Sequence, residues 1–206
     1  TSAQIASERL AALNDPQVTQ AMPRLERALD RAVKLATGVL TYGKTEEAAP
    51  DARPLPLGPV LEAAAEEARL SPEGVRMISL VDAGEQVNAD PDQLHRILVN
   101  LLRNAREAVE QQTARMTPGA IQVSLFEDDG ASVIRLADNG PGVSERARER
   151  LFQPFAGSTR AGGAGLGLAI ARELAQGHGG DLSLSQTGPE GSVFELRLPG
   201  APVKTP

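Results

Sequence analysis

The sequence predicts an α+β fold preceded by an antiparallel helical hairpin, and three observations carry that expectation. Apolar residues recur at three- and four-residue spacing along 16–42, 60–70, 90–111 and 168–176, the period of an amphipathic helix. Residues 121–127 and 132–137 alternate apolar and polar around Asp128-Asp129-Gly130, a hairpin signature, and 181–185 and 192–198 form a second strand pair around Thr187-Gly188-Pro189-Glu190-Gly191. Hydrophobic residues make up 41% of the 206 and aromatic ones only 2%, so the core is aliphatic and large enough for one domain plus a smaller element.

Residues 1–13 open on a helical pattern, with Ile5, Arg9, Ala12 and Leu13 on one side. Asn14-Asp15-Pro16 breaks it, Asp15 standing as N-cap and Pro16 at the first helical position of the next helix. Leu25, Ala28, Leu29, Ala32, Leu35, Ala36, Val39 and Leu40 then form one stripe up to Tyr42. Two such helices cannot bury a core alone, so residues 1–49 are expected to pair with a second copy as a homodimer; a helical appendage packed on its own domain is the alternative. Gly43–Pro59 carries four prolines and no periodicity, which predicts a linker over 50–59 between the hairpin and a domain over 60–200, with a tail at 201–206. Val60–Leu70 reads as a helix, Val75–Val81 as a strand and Gly84–Asp90 as a turn.

Asp90–Gln111 is the best-specified helix, with Asp90 as cap, Pro91 at the first position and Gln93 at the capping-box spacing. Leu94, Ile97, Leu98, Leu101, Ala105 and Ala108 form its apolar arc. Asn100 and Asn104 sit four apart at the edge of that arc, with Glu107 a turn further on. Asparagine is a mediocre helix former, and its amide oxygen is a hard ligand of the kind Mg²⁺ accepts beside phosphate oxygens; solvated side chains are the alternative. The strand ending at Ala137 runs into Asp138-Asn139-Gly140-Pro141-Gly142-Val143. There a carboxylate can accept from an amino group while glycines let a flat ring approach, unless the loop is a plain turn. Ser144–Leu151 reads as a short helix capped by Ser144, and Phe152 and Phe155 follow as core anchors or as the seat of a loop. Glycines at 157, 162, 163, 165 and 167 then enter a helix bearing Leu168, Ile170, Ala171 and Leu174, with Gly177 at the C′ position. Glycine-rich backbone leading into a helix N-terminus suits phosphate, though a purely structural loop has the same composition.

Composition excludes several classes. A net charge of −6 speaks against nucleic acid as the main partner, and the absence of cysteine rules out disulfides and thiolate metal sites. No apolar run approaches the roughly 20 residues that span a bilayer, and no signal peptide opens the chain, so a soluble cytoplasmic fragment without membrane contact is expected. No Gly-x4-Gly-Lys-Ser/Thr loop is present, and Leu168 stands where a dinucleotide fingerprint needs its third glycine.

Taken together, HRILVNLLRNAREAV (95–109), DNGPGV (138–143), LFQPF (151–155) and GGAGLGLAIARELAQGHGG (162–180) resemble, in this order, the N, G1, F and G2 boxes of the GHKL ATPase superfamily, and within it the sensor histidine kinases of two-component signalling. The resemblance covers about 54 to 199, and residues 1–43 look more loosely like the later part of those kinases' dimerisation and phosphoacceptor hairpin. It implies a two-layer α/β sandwich of the Bergerat type, a mixed sheet covered on one face by helices. ATP and Mg²⁺ are then the cofactors: Asn104 ligates the metal, Asn100 and Glu107 face the same region, and Asp138 accepts from the adenine amino group. Gly140, Gly142 and Val143 lie beside the base, and Phe155 and a lid over 156–164, with Ser158, Thr159 and Arg160, cover the nucleotide. Gly163, Gly165, Leu166, Gly167 and Leu168 meet the phosphates.

The family's chemistry, transfer of the ATP γ-phosphoryl group to a histidine and then to an aspartate of a response-regulator receiver domain, is what the resemblance implies for this chain. Two departures stand out. Many members carry a basic residue three positions after the second asparagine and an aromatic next, where this chain has Glu107 and Ala108; Arg103, Arg106 and Arg160 are the substitutes at hand. The family's phosphoacceptor has no counterpart, because His95 lies in the N-box helix and His178 in the HGG turn, and both read as structural. The acceptor is therefore expected upstream of Thr1, the whole protein is either membrane-bound or not, and residues 1–206 alone are expected not to autophosphorylate. A GHKL ATPase or anti-sigma-type kinase, or a non-catalytic docking module, remains the rival.

Overall fold

The computed structural model describes Met22 and residues 49–112, 117–155 and 165–200. Apart from Met22 and Ala49, the hairpin expected over 1–49 lies outside the described residues, as do the lid over 156–164 and the tail over 201–206. In chain order the elements are β1 (Arg53–Pro56), α1 (Leu57–Glu67), β2 (Arg76–Ser79), β3 (Gln86–Ala89), α2 (Pro91–Glu110), β4 (Ala120–Asp128), β5 (Ala131–Asp138), α3 (Glu145–Arg148), α4 (Gly167–Gly177), β6 (Asp181–Gly188) and β7 (Gly191–Pro199).

α2 is the central helix. The Asp90 carboxylate accepts from the N–H groups of Asp92 and Gln93 at 3.0 Å each, which satisfies two donors that the first turn leaves open, and Pro91 needs no partner there. Its apolar arc buries Leu94, Ile97, Leu98, Leu101 and Ala105 as the spacing predicts, with Val109 rather than Ala108 completing it. β4 and β5 meet through Asp129 and Gly130, both at positive φ, the geometry that lets a two-residue turn follow the strands' twist.

The sheet runs β2-β4-β5-β7-β6, with β2 parallel to β4 and every other pair antiparallel, so it is mixed. Register places Ile121, Val123, Ile134, Leu136, Leu182, Phe194, Leu196 and Leu198 on one face, where they share a core with α1, α2 and α4. On the other face Gln122, Arg135 and Ser183 are exposed, and Arg135 stacks over Phe126 while pairing with Glu195 at 2.8 Å. The result is the expected two-layer α+β sandwich.

Several local expectations change. Residues 50–59 are not simply a linker: β1 pairs antiparallel with β3, and Leu55 and Leu57 are buried. Proline is tolerated in that short strand and near a helix start, so its density there misled the sequence reading. α1 accordingly begins at Leu57 rather than Val60, and Gly84–Asp90 contains β3 rather than a turn alone. Ser144 precedes α3 but makes no side-chain cap, and that helix is a single turn. Gly177 lies inside α4; the left-handed residue that ends the helix is Gly179, at φ 78°.

Candidate nucleotide-binding site

α2 presents Asn100, Asn104 and Glu107 along one face, all partly exposed. α4 begins beside the first of these: a Cβ added to Gly167 would lie 3.1 Å from Asn100 Oδ1. Glycine at 167 therefore lets the start of α4 close on the amide. The N–H groups of that first turn have no carbonyl of their own helix to bond, the arrangement that suits an anion, and they start beside Asn100. Leu166 and Leu168 bring backbone to this place, while their side chains are buried in the core. Neither asparagine amide has a hydrogen-bond partner among the described residues, and the Glu107 carboxylate has none there either.

The second half of the site is the turn after β5. Asp138 is only 8% exposed, and its Oδ1 accepts from the Gly140 N–H at 2.9 Å. Burial pushes its carboxyl above the ordinary aspartate range, and the N–H groups of Gly140 and Ser192 oppose that shift by bonding the ionised form. Asn139 fixes the same turn from the other side, accepting from the Ala120 N–H at 2.8 Å and donating to the Pro118 carbonyl at 2.9 Å.

Glycine is required here by the protein itself. Gly142 has φ 76°, and a Cβ on it would sit 2.1 Å from the carbonyl oxygen of Gly188. A Cβ on Gly140 would meet Asp138 Oδ1 at 2.8 Å and the α2 backbone at Ala108 and Val109 at 3.3 Å. The turn is thus wedged between α2 and the β6–β7 connection. Val143 N–H donates to Thr187 Oγ1 at 2.7 Å, and Thr187 Oγ1 lies 3.2 Å from Ser192 Oγ. Thr187 and Ser192 escaped the sequence reading because TGPEGS looks like any strand connection. The available signal was Ser192 itself, a polar residue in the inward register of Phe194, Leu196 and Leu198.

The remaining expected residues fall into two groups. Phe155 and Gly165 flank the undescribed stretch and are tied together, the Phe155 N–H donating to the Gly165 carbonyl at 3.0 Å; Phe155 is 40% exposed, at φ 63°. Phe152 is half-buried, and the Arg172 guanidinium lies 4.8 Å from its ring centroid while gripping Asp181 at 2.8 and 3.1 Å. Ser158, Thr159, Arg160 and Gly163 lie outside the described residues. Of the arginines considered as substitutes for the missing base, Arg103 lies 3.6 Å from Glu67 and Arg106 lies 3.2 Å from Glu110. Among the described residues no group of three or more His, Asp or Glu side chains could hold a metal, and no helix is long and apolar enough to cross a membrane.

This geometry meets a known family. Residues 89–202 match the model of the histidine kinase-, DNA gyrase B- and HSP90-like ATPases, and the chain belongs to that family, with residues 89–202 as its ATP-binding domain. It is 38% identical over 121 residues to the C4-dicarboxylate transport sensor protein DctB of Rhizobium meliloti (59% of this chain, 18% of the relative). It is 35% identical over 134 residues to the sensory histidine kinase/phosphatase NtrB of Escherichia coli O157:H7 (62% and 38%). The chain therefore spans well under half the length of either relative. Among solved structures, full-length ShkA in complex with AMPPNP is similar over 93% of this chain and 40% of its own, at 26% identity and TM-score 0.68. The mycobacterial sensor histidine kinase MprB is similar over 74% and 99%, at 27% identity and TM-score 0.57.

Proposed function

We propose that this chain is the ATP-binding catalytic part of a sensor histidine kinase, which moves the γ-phosphoryl group of ATP to a histidine nitrogen and from there to an aspartate of a receiver domain. The observation that carries the reading is the placement of Asn100 against the N-terminus of α4, on the same helix face as Asn104, with a buried carboxylate at Asp138 held ready by two N–H groups. Asp138 accepts from the adenine amino group, and the open N–H groups at Gly167 take the phosphates. Mg²⁺ fits the donor set, which is amide oxygen beside an anion-binding helix end with neither thiolate nor imidazole; Asn104, with Asn100 beside it, would hold the ion, which supplies charge neutralisation on the triphosphate when bound. The chain's own share is positioning and the exclusion of wrong geometries. An amide is no base, so neither asparagine itself activates a nucleophile.

The finer assignments belong to the same proposal. Residues 1–49 belong to a dimerisation hairpin that pairs with a second copy, 156–164 form the lid, and the protein works in the cytoplasm with a response regulator as partner. Incubation with radiolabelled ATP tests the reading. The chain alone stays unlabelled, and a chain extended upstream to include the acceptor takes up acid-labile, alkali-stable phosphate on histidine, which Asn104→Ala or Asp138→Ala prevents. Label that survives acid, or that persists in both variants, contradicts it.

A further inference from the structure

Beyond the apolar core that α2 and α4 share, two close approaches link them, one near each end of α4. At one end Asn100 meets Gly167. At the other, the Asp90 N–H donates to His178 Nε2 at 3.0 Å, and His178 Nδ1 lies 2.8 Å from the Leu174 carbonyl oxygen. Asp90 and Asn100 on α2, and His178 and Gly167 around α4, are each separated by about 15 Å of helix at roughly 1.5 Å per residue, so the helices run antiparallel and in step.

A neutral imidazole offers one N–H and one lone pair. A carbonyl can only accept and a backbone N–H can only donate, so Nδ1 carries the hydrogen and Nε2 is bare. We infer that His178, in this neutral tautomer, is a positioning residue for nucleotide binding: it sets the register of α4 on α2 and so the place where the Gly167 N–H groups meet the phosphates beside Asn100 and Asn104. The inference rests on the ATP-binding reading above.

Protonation removes the acceptor, and two N–H groups then face each other across the helix pair. The charged groups around His178 do not restore the link. The Asp90 carboxylate is already engaged by the N–H groups of Asp51, Asp92 and Gln93. Asp181, at the start of β6, is held by Arg172 and Gln176. Proton uptake at His178 therefore competes with nucleotide, and affinity is lost as the pH falls.

The test is a calorimetric titration of the whole chain with ATP from about pH 8 to about pH 5.5. Wild type, His178→Gln and His178→Asn are compared at each pH, which cancels the titrations of ATP and of Asp138. Glutamine still reaches Asp90 as an acceptor and does not titrate; asparagine keeps a donor for Leu174 but falls short of Asp90. Wild-type affinity is expected to fall about five- to tenfold relative to His178→Gln across this range, the net worth of one hydrogen bond, and His178→Asn to bind weakly throughout. Parallel profiles for wild type and His178→Gln, or wild-type binding by His178→Asn at pH 8, overturn the inference. If a variant does not fold, nitrogen-15 spectra of the wild-type ring decide: an Nδ1–H tautomer that becomes imidazolium in step with lost affinity supports it, and an Nε2–H tautomer refutes it. Absence of ATP binding by wild type at every pH overturns the ATP reading, and this inference with it.

Discussion

Asp138 is under two opposed demands. Burial raises its proton affinity, while the proposed contact with the adenine amino group calls for the ionised acceptor. Its folded-state value lies above the unfolded one, so the charged carboxylate costs stability at neutral pH, and that cost is relieved as the pH falls through the raised value. Asp138→Asn keeps an acceptor for the Gly140 and Ser192 N–H groups without the charge. Its thermal midpoint without nucleotide is expected to equal or exceed wild type at pH 7 and to lose that advantage in acid, while ATP affinity drops about ten- to a hundredfold, the range for a hydrogen bond to a charged group. Gly142→Ala behaves in the opposite way. It forces a side chain to φ 76° against the Gly188 carbonyl, so urea unfolding should show a loss of about 2 kcal/mol or more, with weaker ATP binding only as a consequence. Equal stability of Gly142→Ala and wild type would mean that the turn is not wedged as described.

Among the elements, α2 was the most legible because its signals agree: cap, first-turn proline and a 3.6-residue apolar period all point to one helix. Asp90→Ala should cost about 1–2 kcal/mol by removing the cap. The Asp90 carboxyl is held below the ordinary range, first by the Gln93 N–H, so its contribution is complete above the unfolded value near 3.8 and is lost as the pH falls through the lower folded value. Chemical unfolding followed from pH 7 down to about pH 2 checks both statements, since the Asp90→Ala curve should converge on wild type only at the acid end. The hairpin of β4 and β5 was legible for a similar reason, its Asp-Gly turn standing between two alternating runs. β1 and β3 were not, since four residues are too few to show a period and Pro54 and Pro56 argue locally against a strand. Pairing with a partner thirty residues away, together with burial of Leu55 and Leu57, outweighs that local preference. α3 was overestimated because a serine before two acidic-basic pairs imitates a capped helix, and nothing in the spacing showed that the segment packs no apolar face.

The molecule as a whole sets chemistry from three distant parts of the chain against α2: its own amides, the carboxylate at the end of β5, whose turn packs on α2 at Ala108 and Val109, and the first turn of α4, which approaches Asn100. The order of these pieces was visible in the sequence, because each has a residue type that its local structure does not need, such as asparagine inside an apolar helix. What holds these pieces in place was not visible. The inward register of Ser192, the Thr187 hydroxyl on Val143 and the His178 bridge depend on strand and helix pairings across tens of residues, which no local pattern encodes. The central claim is that these parts form one Mg²⁺-dependent ATP site. Calorimetric titration of wild type and Asn104→Ala with ATP, each with and without Mg²⁺, tests it most directly. Wild type is expected to bind much more tightly with the metal present, and Asn104→Ala to lose most of that difference while binding metal-free ATP as before. The same gain from Mg²⁺ in both proteins, or none in wild type, would contradict it.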